Sequence, residues 1–258
     1  MLDVTPVRAF SDNYIWVIQG TVSPARVAIV DPGDAGPVFA HLEKTGEELA
    51  AILVTHHHRD HCGGVTDLKA RYDVPVIGPA AEEIPLRTQA VRGGDHVVLD
   101  GLGLRFDVLD IPGHTRGHIA FYGHRTLFCG DTLFSAGCGR LFEGTPAQMS
   151  HSLAVLSNLP AETRIYCGHE YTASNLRFAL AVEPGNARTQ RYADESRVTL
   201  AEGRPTLPST LALEIAVNPF LRCDAETVRQ AASQHLGRAV EDPVEVFATI
   251  RRWKDEFR

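Results

Sequence analysis

The chain has 258 residues and a formal net charge of −7, with 44% hydrophobic and 22% charged residues. This is the composition of a globular protein that can bury a substantial core, and no apolar run approaches the roughly 20 residues that a membrane-spanning helix needs. The acidic balance disfavours a nucleic-acid partner, and the absence of a basic segment followed by an apolar core near residue 1 leads us to expect a cytoplasmic location.

The first third of the chain alternates short apolar segments with amphipathic ones, which is typical of an α/β protein. Turn formers interrupt the pattern at Ser11 to Asn13 and again at Asp31, and Gly46 closes the first helix. The segment AILVTHHHRDHCGG (51–64) is unusual because an apolar segment, typical of a buried strand, is followed directly by several histidines and an aspartate. Strands are predicted at residues 4–10, 14–19, 27–30, 52–54 and 74–77, and helices at residues 37–45 and 63–72.

The middle of the chain begins with a long polar connection, residues 78–94, in which no periodicity predicts a regular element. A hairpin through Asp100-Gly101 is predicted next. Thr145, Pro146 and Gln148 have the pattern of an N-cap, a first-turn proline and a capping-box partner. The predicted strands here cover residues 97–99, 104–111, 119–122, 126–129 and 164–167, and the predicted helix ends near residue 158.

The character of the chain changes after His169, where strand patterns give way to helical ones. We therefore predict two domains, a catalytic domain of residues 1–169 and a helical domain of residues 170–258. The helices of the second domain are predicted at residues 171–182, 186–202, 209–217, 224–236 and 243–257.

Four separate apolar strands are each followed by a residue of a type that binds metal ions. These residues are His56, His114, Asp131 and His169, and the last three each follow a glycine. Glycine lets the backbone turn sharply, so donor groups can converge at one edge of a sheet. The pattern predicts a single site built from distant parts of the chain.

A dense donor cluster, His56, His58, Asp60 and His61, brings the number of candidate ligands to seven. One tetrahedral site uses three or four, so seven donors predict two divalent metals, roughly 3.5–4 Å apart, with a shared carboxylate. Zinc is the expected metal, while nitrogen and oxygen donors would also accept iron or manganese. Water bound to such a metal ionises near neutral pH, which permits hydrolysis without an activated serine or cysteine.

Three other polar residues have more than one interpretation. His57 would point away from its neighbours in an extended segment, towards solvent or behind the ligands. His118 could orient a ligand or simply pack. Asp31 is either a turn residue or a support for a ligand.

The segments T-H-x-H-x-D-H (55–61), P-G-H-T (112–115), G-D (130–131) and G-H (168–169) resemble the metallo-β-lactamase superfamily. The resemblance implies an α/β fold, the αββα sandwich, here followed by a C-terminal helical domain. It also implies a distribution of the ligands, with Asp131 bridging the two metals. His56, His58 and His114 would hold the first metal, and Asp60, His61 and His169 the second.

Further segments resemble the glyoxalase II, or hydroxyacylglutathione hydrolase, family over essentially the whole chain: GHEYT (168–172), EPGN (183–186), NPFLR (218–222) and RRWKD (251–255). In that family, positions matching Tyr171, Arg251 and Lys254 contact glutathione. The segment GCGRLFEG (137–144) also matches but departs at two candidate substrate-binding residues. Arg140 stands where many members have lysine, which keeps the charge, and Phe142 stands where many have tyrosine, which removes a hydroxyl.

The resemblance implies hydrolysis of S-D-lactoylglutathione to glutathione and D-lactate, the reaction of methylglyoxal detoxification, with Asp131, Asp60 and Tyr171 as catalytic candidates. The expected partner is a small glutathione thioester, with no nucleic acid, no membrane and a monomeric chain. Two alternatives remain open from the sequence. One is a related metallo-hydrolase, such as a lactonase or another thioesterase, and the other is a persulfide dioxygenase that uses one iron.

Overall fold

The computed structural model describes residues 2–257, which form two compact units. Unit 1 comprises residues 2–110, 115–130 and 166–169. Unit 2 comprises residues 111–114, 131–165 and 170–257. The chain therefore leaves and re-enters unit 1 beside several of the candidate ligands.

The elements alternate as the sequence predicts, and the α/β class is confirmed. The strands are β1 (Val4–Ala9), β2 (Asn13–Gln19), β3 (Arg26–Val30), β4 (Glu48–Leu53), β5 (Val76–Pro79), β6 (Gln89–Val91), β7 (His96–Leu99), β8 (Leu104–Asp110), β9 (Ile119–Gly123), β10 (Thr126–Gly130), β11 (Leu133–Phe134), β12 (Gly137–Cys138), β13 (Arg164–Cys167) and β14 (Ser209–Thr210). The helices are α1 (Ala35–Thr45), α2 (Arg59–Cys62), α3 (Val65–Arg71), α4 (Pro146–Ser157), α5 (Thr172–Val182), α6 (Ala187–Ala201), α7 (Leu211–Val217), α8 (Glu226–Leu236) and α9 (Pro243–Glu256).

Unit 1 contains two sheets. The first has the order β1-β2-β3-β4-β5-β6, antiparallel from β1 to β3 and parallel from β3 to β6. The second runs β13-β10-β9-β8-β7 and is antiparallel from β7 to β10. The parallel strands are joined by α1 and by the α2-α3 pair, as parallel connections require.

The two faces of the first sheet bury different partners, following the alternation of side chains along a strand. Ile15 and Val17 face one way, into a cluster with Val38 of α1 and Leu68 of α3. Trp16, between them, faces the second sheet, where its ring meets the ring of Tyr166 edge-on at 4.9 Å and its Nε1 donates to the Cys167 carbonyl at 2.9 Å. In unit 1, the helices therefore pack against one face of the first sheet, and the second sheet packs against its other face.

Unit 2 is mainly helical, and α4 has the predicted capping residues. Thr145 and Gln148 form a reciprocal capping box at the start of α4, with Pro146 in its first turn. Asn186 accepts from two backbone N–H groups at the start of α6. β14 pairs with the first two residues of β13. Among the described residues, no helix is long and apolar enough to cross a bilayer.

The structure corrects the predicted elements in several places; residues 209–210, for example, are predicted as the start of a helix and form β14 instead. The connection 78–94 contains β6, which pairs with β5 and is too short to show a period. The β7–β8 hairpin, predicted to turn at Asp100-Gly101, closes through a 3-10 turn (Asp100–Leu102) followed by the left-handed Gly103. The donor cluster, for which the sequence predicts no regular element, contains α2, because His58 ends the extended segment and Arg59 starts a helical turn.

Candidate functional site

The chain turns sharply where β4 ends, and this turn sets the positions of the candidate metal ligands that follow the strand in unit 1. Thr55 and His56 continue from the strand, while α2 winds Asp60 and His61 into one helical turn. At the end of β13, the backbone N–H of Tyr14 donates to the Gly168 carbonyl at 2.8 Å, and this pairing fixes the backbone before His169. Strand ends thus place His56 and His169, and a short helix places Asp60 and His61.

Asp60, His61 and His169 converge within unit 1 on a common point. The Nε2 atoms of the two histidines are 3.3 Å apart, and the Asp60 Oδ2 lies 3.5 Å from one and 3.4 Å from the other. Ligands about 2.0–2.1 Å from a tetrahedral metal lie about 3.3 Å from one another. The donor spacing therefore fits a metal ion.

Each of these three donors is oriented by a residue behind it. The Asp12 carboxylate lies 2.8 Å from Nδ1 of His169. Asn13 Nδ2 donates to Asp60 at 3.0 Å. An outer carboxylate or carbonyl on Nδ1 fixes the tautomer that presents Nε2 to a metal, which is the usual arrangement around metal-bound histidine.

Asp31 acts as the corresponding support for His61. Its Oδ2 lies 3.1 Å from His61 Nδ1, while its two oxygens also accept the backbone N–H and the hydroxyl of Thr55, each at 2.7 Å. Of the two interpretations left open by the sequence, the structure favours a support, in a residue that also has the positive φ of a tight turn.

His56 is fully buried and held on several sides. Its Nδ1 lies 3.1 Å from the Thr55 hydroxyl, and its ring centroid is 4.8 Å from that of His58 and 4.2 Å from that of His61. The ring of His118 stacks on it at 4.5 Å, while His118 Nδ1 donates to the Ile119 carbonyl at 3.0 Å. His118 therefore packs against a candidate ligand.

His57 has a different environment from its two neighbours. Its Nδ1 lies 3.0 Å from Oε2 of the buried carboxylate of Glu82. Among residues 2–257, no cluster of metal-type donors includes it. The ring is thus directed to a protein partner and stands outside the candidate ligands, as the alternation of an extended segment predicts.

His114 and Asp131 come together within unit 2. His114 Nε2 lies 3.5 Å from Asp131 Oδ2, and its Nδ1 donates to the Arg140 carbonyl at 2.9 Å. Gly139 makes this approach possible, since a Cβ there would lie 1.9 Å from the Asp131 carbonyl oxygen. The segment after β12 therefore holds both donors.

A cavity of about 430 Å³ in unit 2 is lined by these two donors together with residues of α5 and α9. Its walls combine aromatic, hydroxyl and cationic groups, a composition suited to a polar small molecule. All of the predicted substrate-binding residues line it: Arg140, Phe142, Tyr171, Arg251 and Lys254.

The surroundings of Lys254 show that this cavity is electrostatically positive. Burial, followed by the positive charges of Arg251, Arg177 and Arg140, lowers the pKa of its ammonium to about 8, against a weaker opposing effect of Asp255. Its Nζ donates to the Ser174 hydroxyl at 3.1 Å. Clustered like charges oppose one another, so an anion bound here would relieve the repulsion.

Arg251 is buried, and its side chain contacts several residues around the cavity. Its Nη1 donates to the Cys138 carbonyl at 2.8 Å, its Nη2 pairs with Asp255 at 3.0 Å, and its guanidinium lies 5.2 Å from the centre of the Phe220 ring. Arg140, in contrast, is largely exposed, with its Nε 3.4 Å from Asp255. The two arginines therefore differ in how much of their charge is already engaged.

Two aromatic residues complete the wall. Phe142 is 63% exposed, and its ring meets the His114 ring nearly edge-on at 5.3 Å. Tyr171 is 37% exposed and packs against Phe134 at 5.1 Å. Both therefore line the cavity with part of their surface exposed.

The sequence matches two family models that meet at residue 170. Residues 9–169 match the metallo-beta-lactamase superfamily, and residues 170–257 match the hydroxyacylglutathione hydrolase C-terminus. A hydroxyacylglutathione hydrolase of Nitrosomonas eutropha is 52% identical over 258 residues, and one of Pseudomonas aeruginosa is 53% identical over 261; each comparison covers 100% of both chains. The chain belongs to the hydroxyacylglutathione hydrolase family.

Among solved structures, TTHA1623 in a di-iron-bound form is 28% identical, with a TM-score of 0.61 over 84% of this chain and 100% of that chain. The predicted fold, the metallo-β-lactamase fold with a C-terminal helical domain, is confirmed, as is the predicted hydrolase class. Membership in the hydroxyacylglutathione hydrolase family and the His/Asp clusters together support the use of divalent metal. The domain boundary at residue 170 stays a prediction.

Sequence reasoning missed three residues of this hydroxyacylglutathione hydrolase family member: Asp12 and Asn13, which contact candidate ligands, and the buried carboxylate Glu82. The sequence predicts only turn formers at Asp12 and Asn13, and Glu82 lies in the connection 78–94, where no periodicity predicts a regular element. The only signal for the first two is their polar residue type, which is also that of ordinary turn formers; Asp12 lies in the turn between β1 and β2, and Asn13 begins β2. Glu82 had no comparable signal.

Proposed function

We propose that the protein hydrolyses S-2-hydroxyacylglutathione, specifically S-D-lactoylglutathione, to glutathione and D-lactate. The observation that carries the proposal is the unit 2 cavity, which is lined by two candidate metal ligands and by a cluster of cationic side chains. Glutathione carries two carboxylates, and charge-assisted contacts to them are the stronger class of hydrogen bond.

We further propose that seven residues hold two divalent metals, with Asp131 shared between them. His56, His58 and His114 would hold one metal, and Asp60, His61 and His169 the other. Chain connectivity supports a common centre, because His114 is bonded directly to Thr115 of unit 1 and Asp131 directly to Gly130 of unit 1. The di-iron form of TTHA1623 supports the number of metals.

Zinc is the proposed metal, since tetrahedral nitrogen and oxygen donors suit it, and the same donors would accept iron or manganese. When bound, such metals lower the pKa of a water to about 7 and polarise a carbonyl oxygen.

Hydrogen bonds to neighbouring residues would hold the ligand side chains in the orientation that metal binding needs. Asp12 keeps the His169 proton on Nδ1, and Asn13 holds the Asp60 side chain through Oδ2. The Arg140 carbonyl accepts from His114 Nδ1, so the segment that holds this ligand also carries a cationic side chain of the cavity. Metal binding and substrate binding would thus share one structural element.

Departure of glutathione needs little help from the protein. A thiol with a pKa of about 8.5 leaves readily as a thiolate, so no dedicated general acid is required. Lys254, Arg140 and Tyr171 would position the glutathione part. Arg251 would act mainly by fixing the Cys138 carbonyl, because its Nη atoms are already engaged.

The test compares S-D-lactoylglutathione with the D-lactoyl thioester of N-acetylcysteamine, which has the same thioester and lacks both carboxylates. We expect kcat/KM to be at least about 100-fold higher for the glutathione thioester, as two charge-assisted contacts would produce. Equal values would contradict a glutathione-specific site. Oxygen uptake with glutathione persulfide, or turnover of a lactone alone, would instead support the corresponding alternative.

A further inference from the structure

Glu82 is a buried carboxylate outside the candidate ligands. It lies in the segment between β5 and β6, and its side chain is only 3% exposed. The adjacent Glu83 is exposed, so burial of Glu82 is specific to this position. The backbone around Glu82 is fixed as well, because Arg87 Nη1 donates to its carbonyl at 2.6 Å.

Its two carboxylate oxygens face two different segments of unit 1. Oε2 accepts the backbone N–H of His57 at 2.5 Å and lies 3.0 Å from the ring Nδ1 of the same residue. Oε1 accepts hydrogen bonds from the Thr115 hydroxyl and, at 3.0 Å, from the Gly117 backbone N–H. One side chain therefore ties together segments 25 and 35 residues away in sequence.

Such an arrangement has a large cost unless every contact is made. A buried carboxylate is stable only when it is fully hydrogen-bonded, and removing its charge or its acceptors leaves the facing donors without partners. The site is also shaped for it, since a Cβ on Gly117 would lie 2.6 Å from the Glu82 Cγ. Glycine at 117 is thus needed for this approach.

Both tied segments are direct neighbours of proposed metal ligands. His57 lies between His56 and His58, and Thr115 follows His114 by one peptide bond. We propose that Glu82 is a positioning residue that fixes these two segments relative to each other, so that three ligands are preorganised before metal binds. The proposal rests on the ligand set given under the proposed function, and it concerns metal affinity rather than substrate.

The test is titration of the metal-depleted full-length chain with Co²⁺, monitored by its visible absorption, in the wild type and Glu82→Gln. Glutamine keeps the size but replaces one acceptor oxygen with a donor NH₂ group that would face N–H groups. We expect Co²⁺ to bind about 10- to 100-fold more weakly, the usual effect of losing a contact behind a metal ligand. Glu83→Gln, next in the chain and exposed, is the matched control and should bind like the wild type.

A purely structural role gives a different result. It would lower the melting temperature of the metal-depleted Glu82→Gln chain while leaving the Co²⁺ dissociation constant of the folded protein unchanged, and that result would overturn the proposal. If Glu82→Gln does not fold, Thr115→Val decides, because it removes one donor while preserving shape. Weaker Co²⁺ binding by Thr115→Val supports the proposal, and wild-type binding overturns it.

Metal binding is measured here without substrate, so the two proposals fail separately. A wild-type chain that binds two metals but leaves S-D-lactoylglutathione intact would contradict the proposed function. The comparison of Glu82→Gln with Glu83→Gln would still stand.

Discussion

The lowered pKa of Lys254 predicts an unusual alkaline limit on substrate binding. With a pKa of about 8, this lysine loses its charge as the pH rises through 8, whereas an ordinary lysine stays charged to above pH 10. At pH 9, about 9% of Lys254 would remain protonated, compared with about 97% of an ordinary lysine. If its charge holds a substrate carboxylate, kcat/KM should fall about 10-fold between pH 7 and pH 9.

Two variants separate this effect from other titrations. Lys254→Arg keeps the charge throughout this range, so its kcat/KM should lack the additional 10-fold fall between pH 7 and pH 9. Lys254→Met has no charge at any pH and should show at pH 7 a loss of about 10-fold or more relative to the wild type. Initial rates with S-D-lactoylglutathione, corrected for spontaneous hydrolysis, provide the measurement at each pH.

The substrate amine and the metal centre also titrate, but they do so equally in all three proteins. The decisive quantity is therefore the ratio of the wild-type kcat/KM to that of Lys254→Arg as a function of pH. A ratio that stays constant from pH 7 to pH 9 would refute a role for the Lys254 charge.

Further substitutions test the donor arrangement in each unit. Asp12→Asn removes the charge behind His169 and should weaken zinc binding about 10- to 100-fold, measured by competition with a chromogenic chelator; unchanged affinity would refute that support. Gly139→Ala would drive a methyl group into the Asp131 carbonyl and should lower both bound metal and thioesterase activity by at least about 10-fold. Gly185→Ala, where a Cβ would meet nothing within 4 Å, is its control and should behave like the wild type.

The candidate ligands could be predicted from the sequence because each stands directly after an apolar strand or within one dense motif. A strand that ends in a histidine or aspartate places that residue at the edge of a sheet, whatever the details of packing. The geometry of Asp60, His61 and His169 agrees with the predicted grouping. The full set of seven stays a proposal.

Asp12, Asn13 and Glu82 could not be predicted as supporting residues, because they reach their partners across long separations in sequence. Asp12 meets His169 across 157 residues, Asn13 meets Asp60 across 47, and Glu82 meets His57 across 25. No local pattern encodes such a contact, since only the tertiary fold brings the partners together. The same reason applies to β6, whose pairing with β5 decides its conformation.

The boundaries of the two compact units could not be predicted from the sequence either. The change from strand to helix patterns marks residue 170, where the two family models also meet. Packing instead groups residues 131–165 with the C-terminal helices. Composition follows the order of the chain, whereas packing depends on which faces become buried together.

The most direct measurement is the metal content of the purified chain and of Asp131→Ala, determined by mass spectrometry alongside hydrolysis of S-D-lactoylglutathione. We predict two metal equivalents and rapid thioester hydrolysis for the wild type. Asp131→Ala should lose both bound metal and activity, because this carboxylate is proposed to be shared. Full thioesterase activity in metal-depleted Asp131→Ala would contradict a metal-dependent hydrolase built on this residue.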